Sequence, residues 1–389
     1  MAMAGCGGSS TKTLTWWTLP DRSGPDALAR KCSDVGGGYR IEVRTLSGSL
    51  AARRADLIRR LSAHDEGVDI LSLDSALTAE FSAAGYLAPL PSDLRSRAGL
   101  IPRAAEASTY KGTLRAVPWW IDPQVLWFRG AAAERAGINT SKPVSWDSLL
   151  AGADRIRASV EFDDADGTGV SDWVRGLLAE SGGILLQGTG RKPRIGLAGD
   201  PGRVAAGIVQ FYAASGLGPG PAGDADTEFA GTHGAFLLAR ASAKTAPALA
   251  SVATDMRPVR YPVIDGVSVS PLAGAALAVP ASSDGRSAAF KAVRCLTSAR
   301  AEAEVMRNSG RGAARVSVYD APQVKKVVPY AQLLLDSART GVNVPSSPHW
   351  HQAEEALRTS WTPLSGVTPN RTPKESALAV YDLVEGGLR

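Results

Sequence analysis

The stretch PWWIDPQVLWFR, Pro118 to Arg129, puts Trp119, Trp120, Trp127 and Phe128 within twelve residues and sets one carboxylate, Asp122, among them. A second grouping joins Trp16 and Trp17 to Asp74. An indole offers a flat apolar face, and a carboxylate accepts hydrogen bonds from hydroxyls. Together they match a ring with C–H faces and a hydroxyl rim, held without covalent chemistry. The competing explanation is a packed interior, which aromatic clusters commonly fill. Neighbouring residues on a strand point to opposite faces. One indole of each pair is therefore expected at a cleft, Trp17 and Trp120 here, with its neighbour in the core, and Trp127 and Phe128 are expected in the core as well.

Reaction signatures are sparse. The sequence holds no G-x-S-x-G elbow and no G-x-x-x-x-G-K-[ST] loop, so neither acyl transfer nor P-loop nucleotide hydrolysis has its usual support. GPGPAG, Gly218 to Gly223, matches G-x-G-x-x-G but carries two prolines and opens no helix, which reads as a surface loop. DDADG, Asp163 to Gly167, resembles part of a calcium loop, yet Phe162 and Trp173 stand where the first and last ligands belong. His349 and His351 lack further ligands nearby and read as exposed imidazoles on a loop. No metal, no cofactor and no catalytic residue is expected. A pair of carboxylates flanking a sugar bond escapes any sequence test.

The chain has 389 residues, enough for two lobes, with 44% hydrophobic and 21% charged residues and a net charge of +5. The densest basic cluster, AARRADLIRRL, has no interleaved aromatics for base stacking, so it reads as a solvated helix face and no nucleic-acid partner is expected. No apolar run is long enough to span a bilayer. Cys6, in MAGCGGSS, sits between small residues and a Gly/Ser spacer. That pattern predicts a lipid anchor on Cys6, a tether over residues 1–10 and a place outside the cytoplasm on the outer face of the membrane. Cys32 and Cys295 each lie on the apolar stripe of a helix-like segment, and an exported chain is free to join them in a disulfide.

The elements that must position these residues follow from hydrophobic spacing. TLTWWTL and YRIEVRTL alternate like strands, GPDALARKCSDV and SLAARRADLIRRLSAH repeat like helices, and VDILSLDS is a short apolar run ending in Asp74. This β-α-β-α order predicts an α/β fold with a parallel sheet, and ligands collect at the carboxyl ends of its strands. YKGTLRAVPWW suggests a turn at Lys111 and Gly112 followed by an extended segment. SWDSLLAGADRIRASV, SDWVRGLLAESGGIL, GRVAAGIVQFYAASGL and HGAFLLARASA all read as helices. SPLAGAALAVPAS is strand-like and leads back to the helix of Cys295, so the first lobe is expected to be discontinuous: 11–115 plus 271–310, with 116–270 plus 311–389 as the second.

On these segments the chain resembles the extracellular solute-binding proteins of carbohydrate ABC importers, the maltose-binding-protein-like group, and is most similar to actinobacterial trehalose-binding lipoproteins. RRLSAHDEGVDILSLDSALTAEFSAAGYLAPL, GTLRAVPWWIDPQVLWFR and AAFKAVRCLTSARAEAEVMRNSGRGAARVSVY carry the likeness, with Cys32 and Cys295. The resemblance implies a two-lobed periplasmic-binding-protein fold of type II, a monomer that captures a sugar by hinge closure, performs no reaction and delivers it to a permease and its ATPase. It also implies ligand contacts at Asp74, Arg315 and Glu228, and it places Asp122 where the similar proteins carry an Asn. ARASAKTAPALA lacks a Trp that the group usually brings to the sugar, and the second lobe is shorter. A trehalose-like disaccharide and an amino sugar both fit, the latter because Asp122 adds negative charge beside Asp74. A glycerophosphodiester binder and a glycoside-active enzyme are the alternatives.

Overall fold

A computed structural model describes residues 11–20, 23–163, 168–188, 193–218, 224–266 and 268–386. Cys6 and its tether, residues 219–223 of the GPGPAG loop and residues 164–167 of the calcium-like loop lie outside the described residues.

Three parallel strands begin the sheet, in the order Tyr39–Thr45, Lys12–Thr18 and Ile70–Asp74, with Trp16 paired to both Val43 and Ile70. Helices Pro25–Gly36 and Leu50–Ser62 connect them. The third of these, Ile70–Asp74, is buried over its first four residues, as a strand covered on both faces must be. Strand Leu272–Ala278 comes next, antiparallel to Ile70–Asp74, with Ala275 facing Asp74. It lies between that strand and the 13-residue Val117–Arg129.

Val117–Arg129 crosses from one half of the molecule to the other. Its first part pairs with Leu272–Ala278 and with the short Gly312–Ala313, whose partners are Ile121 and Trp120. Its second part pairs with Gly234–Arg240 and with Met256–Val259. Pro123 stands where partners change, and a proline, which has no N–H to give a ladder, is tolerated at such a break. The next N–H, of Gln124, donates to the carbonyl of Pro271 at 3.1 Å. Ser159–Phe162 closes the far edge, parallel to Gly234–Arg240.

Each half has its own aromatic core. Trp16 and Trp119 meet edge to face at 5.4 Å in the first. In the second, Trp146, Phe162, Trp173, Tyr212 and Tyr261 form a chain of ring contacts, the shortest being Phe162 to Trp173 at 4.2 Å. Cys32 and Cys295 form the expected disulfide, with Cα atoms 5.7 Å apart, fastening helix Pro25–Gly36 to helix Arg286–Leu296.

Two expected helices are corrected. HGAFLLARASA forms the strand Gly234–Arg240 and then the 3-10 turn Ala241–Thr245. Its apolar run is buried on both faces between two strands, where neither a two-residue nor a helical period is legible. The helix expected to reach Val160 stops at Arg155, because Arg157 adopts a positive φ of 53° and the chain turns into the strand Ser159–Phe162. The turn at Lys111 and Gly112 is present, both with positive φ, joining Thr109–Tyr110 to Thr113–Leu114.

Candidate functional site

Where the crossing strand changes partners, a cavity of about 210 Å³ opens between the halves. Asp74 and Ala76 enter from the first half, Trp120, Asp122 and Gln124 from the crossing strand, and Asp172, Arg240 and Ser242 from the second. Arg311, Asp163 and Glu354 complete its charged lining. Asp74 ends its strand and caps the following turn, its Oδ1 accepting from the N–H of Ala76 at 2.9 Å. Asp74 thus holds a helical cap and a place at the cavity at once.

Trp120 is 5% exposed and Trp119 is fully buried. Strand alternation turns Trp119 towards Trp16 and leaves Trp120 against the cavity. The Arg311 guanidinium lies over the Trp120 ring, 4.5 Å from its centroid. Asp122 is 1% exposed and both its oxygens are used: Oδ1 accepts from the N–H of Ala241 at 3.1 Å and Oδ2 from the Ser242 hydroxyl at 2.7 Å. Burial pushes its carboxyl above the ordinary range, against the pull of Ser242, Arg311 and Arg240. Asp122 thus binds the turn after Gly234–Arg240 to the crossing strand.

Asp172 and its partners form a buried relay that the sequence did not disclose. The Asp172 carboxylate takes ion pairs from Arg175, one turn along its own helix Gly169–Glu180, and from Arg240. Burial opposes its charge, but Arg240 and Arg175 outweigh burial and hold the carboxyl below the ordinary range. Arg175 also donates to the carbonyls of Val342 at 2.5 Å and Leu272 at 3.3 Å, and Arg240 to the carbonyl of Asp122 at 3.3 Å. Two guanidiniums therefore tie one helix to three separate stretches of chain.

The model for bacterial extracellular solute-binding proteins matches residues 28–331, most of the length and both halves. The chain belongs to this family. Its fold is the two-lobed periplasmic-binding-protein fold with mixed α/β content, shared with the GacH receptor of Streptomyces glaucescens, which was crystallised unliganded and with acarbose (TM-score 0.81, 19% identity, covering 96% of this chain and 99% of that one). Maltose-bound MalE3 of Thermotoga maritima matches at TM-score 0.81 and 18% identity over 95% of this chain and 98% of that one. A Thermotoga lettingae solute-binding protein bound to α-D-tagatose matches at 0.78 and 22% over 96% and 100%.

Of the six expected ligand contacts, the structure brings Asp74, Trp120 and Asp122 to one cavity and leaves three elsewhere. Trp17 is half-buried on the outside of the first half, its Nε1–H donating to the Gly67 carbonyl at 3.0 Å and its ring covered by the Arg60 guanidinium at 4.0 Å. Glu228 is exposed on the short helix Ala225–Ala230. Arg315 pairs with the buried Glu302 at 3.3 Å and donates to the Thr297 carbonyl at 2.9 Å, so its salt bridge is structural. Arg311, four residues earlier, lines the cavity instead, with Arg240. The basic helix face is largely self-neutralised, Arg59 and Arg60 pairing with Asp56, although Arg53 is buried rather than solvated. His349 and His351 stand at the start of helix Trp350–Ser360, partly buried and not on an open loop, and among the described residues no three metal-ligating side chains cluster. No described helix is long and apolar enough to cross a membrane.

Proposed function

We propose that the chain is the substrate-binding lipoprotein of an ABC sugar importer, capturing a mono- to oligosaccharide by closure of two lobes and altering no bond in it. The observation that carries this reading is the meeting of Trp120, Asp74 and Asp122 in one cavity between the halves. An indole face beside carboxylates and guanidiniums supplies what a ring with a hydroxyl rim needs. The cavity is smaller than ligand sites of roughly 300–1,000 Å³, which favours a short sugar over a long oligomer. A trehalose-like disaccharide and an amino sugar remain the two ligands of choice. The acarbose, maltose and tagatose of the similar structures support a sugar of some kind.

In this reading the lobes are 11–115 plus 271–310 and 116–270 plus 311–389, and the crossing strand is part of the hinge between them. Cys6 carries the lipid that holds the monomer at the outer face of the membrane, near a permease and its ATPase. Closure follows from tighter ligand contact in the shut form. Titration calorimetry against disaccharides, amino sugars and glycerophosphodiesters tests the class of ligand. Saturable binding of a sugar, recovered unchanged after long incubation, is expected. Binding of a glycerophosphodiester alone would overturn the sugar, and recovery of a cleaved sugar would overturn the transport role.

A further inference from the structure

The charges around the cavity are not evenly matched. Five carboxylates line it, from Asp74, Asp122, Asp163, Asp172 and Glu354, against the two guanidiniums of Arg240 and Arg311. Both guanidiniums are committed at one end, Arg240 to Asp172 and Arg311 over Trp120 near Asp122. Glu354 lies apart from them. It projects from helix Trp350–Ser360, and its hydrogen-bond donor among the described residues is the neutral hydroxyl of Ser171, at 3.2 Å.

No described lysine or arginine forms an ion pair with Glu354. The charged groups facing it are Asp172 and Arg175 from helix Gly169–Glu180, and Asp74 from the end of Ile70–Asp74. Helix Thr372–Gly386 packs on Trp350–Ser360, the helix that carries Glu354, but its Lys374, Glu375, Asp382 and Glu385 are exposed. Burial first, then Asp172 and Asp74, raise the Glu354 carboxyl to about 7. Arg175 lowers it, but its guanidinium is already engaged by Asp172. A carboxylate in this position lacks a counter-ion of its own.

We propose that the ligand supplies that counter-ion: Glu354, with Asp74 beside it, receives a protonated amine, so the cleft selects an amino-bearing sugar over its neutral counterpart. This rests on the sugar-binding reading above and narrows it. The lining as a whole agrees: its five carboxylates outnumber its two guanidiniums, of which Arg240 is held by Asp172 and Arg311 lies over Trp120, so the balance of charge in the cavity favours a cation. Neutralising an enclosed carboxylate recovers part of its desolvation cost, an advantage that a neutral sugar of the same shape does not gain.

The test uses calorimetry on the purified chain with two matched pairs of probes, glucose with glucosamine and trehalose with an amino-substituted trehalose. The same titrations are run on Glu354→Gln, which keeps the size and removes the charge. The amino member of a pair is expected to bind at least roughly tenfold more tightly than its neutral partner, and the substitution is expected to abolish that preference, bringing the two members of each pair to equal affinity. Wild-type affinity for the amine should rise between about pH 6 and about 7.5 as Glu354 loses its proton, whereas the variant's should stay level. A thermal melt of the variant shows that it is folded. Equal binding of both members, or a preference that survives Glu354→Gln, overturns the inference and leaves the sugar reading standing. Failure of every sugar in the panel, with a glycerophosphodiester bound, overturns both.

Discussion

Asp122 is the residue at which a ligand role and a structural role meet. Its two oxygens satisfy a buried N–H and a hydroxyl of the turn that follows Gly234–Arg240. Asp122→Ala therefore strands the Ala241 N–H, at a cost of roughly 1–3 kcal/mol to folding, and loosens the turn that carries Ser242 into the cavity. Denaturant melts should show the first effect and calorimetry a weakened ligand; unchanged stability would mean that water replaces the carboxylate without loss. Titration gives a second prediction. Burial raises Glu354 to about 7 and Glu180 to about 8, the latter despite bonds from Val269 and Trp146. The folded chain then holds protons that the unfolded chain has released, so this contribution to stability is complete below the ordinary carboxylate range near about 4.3. It is lost as pH rises through 7 to 8. The melting temperature is expected to fall between about pH 5 and about pH 8, and a rise across that interval would contradict the assignment of these groups.

At this scale, the sequence revealed what its neighbours in the chain decide. Asp74 ends an apolar run, and Trp119 and Trp120 alternate, so their placement followed from local spacing. Trp17 alternates with Trp16 just as cleanly, but spacing does not say what covers the outward face, and Arg60 covers it. Asp172, Arg240, Arg311 and Glu354 belong to no motif. They meet because four distant segments converge on one break in a strand, and only the folded chain reports that.

The element on which the site depends is the crossing strand, and the short strand Gly312–Ala313 is its most sensitive neighbour. A Cβ on Gly312 would come within 2.5 Å of the Ile121 carbonyl oxygen and 2.6 Å of the Tyr319 hydroxyl. Gly312→Ala must push this strand off Ile121 and Trp120, and Arg311 is its immediate neighbour in the chain. A loss of about 1–3 kcal/mol in a denaturant melt is expected, as for other overpacked sites, together with weaker ligand binding. Native affinity in a folded variant would show that Arg311 is not held by this pairing. Strands buried on one face were readable, as Lys12–Thr18 and Tyr39–Thr45 were. Gly234–Arg240 was not, since burial on both sides erases the alternation that marks a strand.

Across the whole molecule, one covalent link joins the beginning of the chain to a helix 263 residues later. Closing so long a loop removes freedom from the unfolded chain, and reduction or Cys32→Ser is expected to cost about 2–4 kcal/mol, read as a lower denaturant midpoint. The cavity lies away from both cysteines, so ligand affinity at low temperature should be unaffected; a loss of affinity would mean that the link also sets the posture of the lobes. The strand beside that helix has a further consequence, for biosynthesis. Leu272–Ala278 is wedged between Ile70–Asp74 and Val117–Arg129, two strands that leave the ribosome far earlier. The opening third of the nascent polypeptide waits, with a gap beside Ile70–Asp74, until residue 278 of 389 has been made. Such late, distant pairing slows maturation and keeps the growing chain loose, the state that a translocation channel or a chaperone can handle.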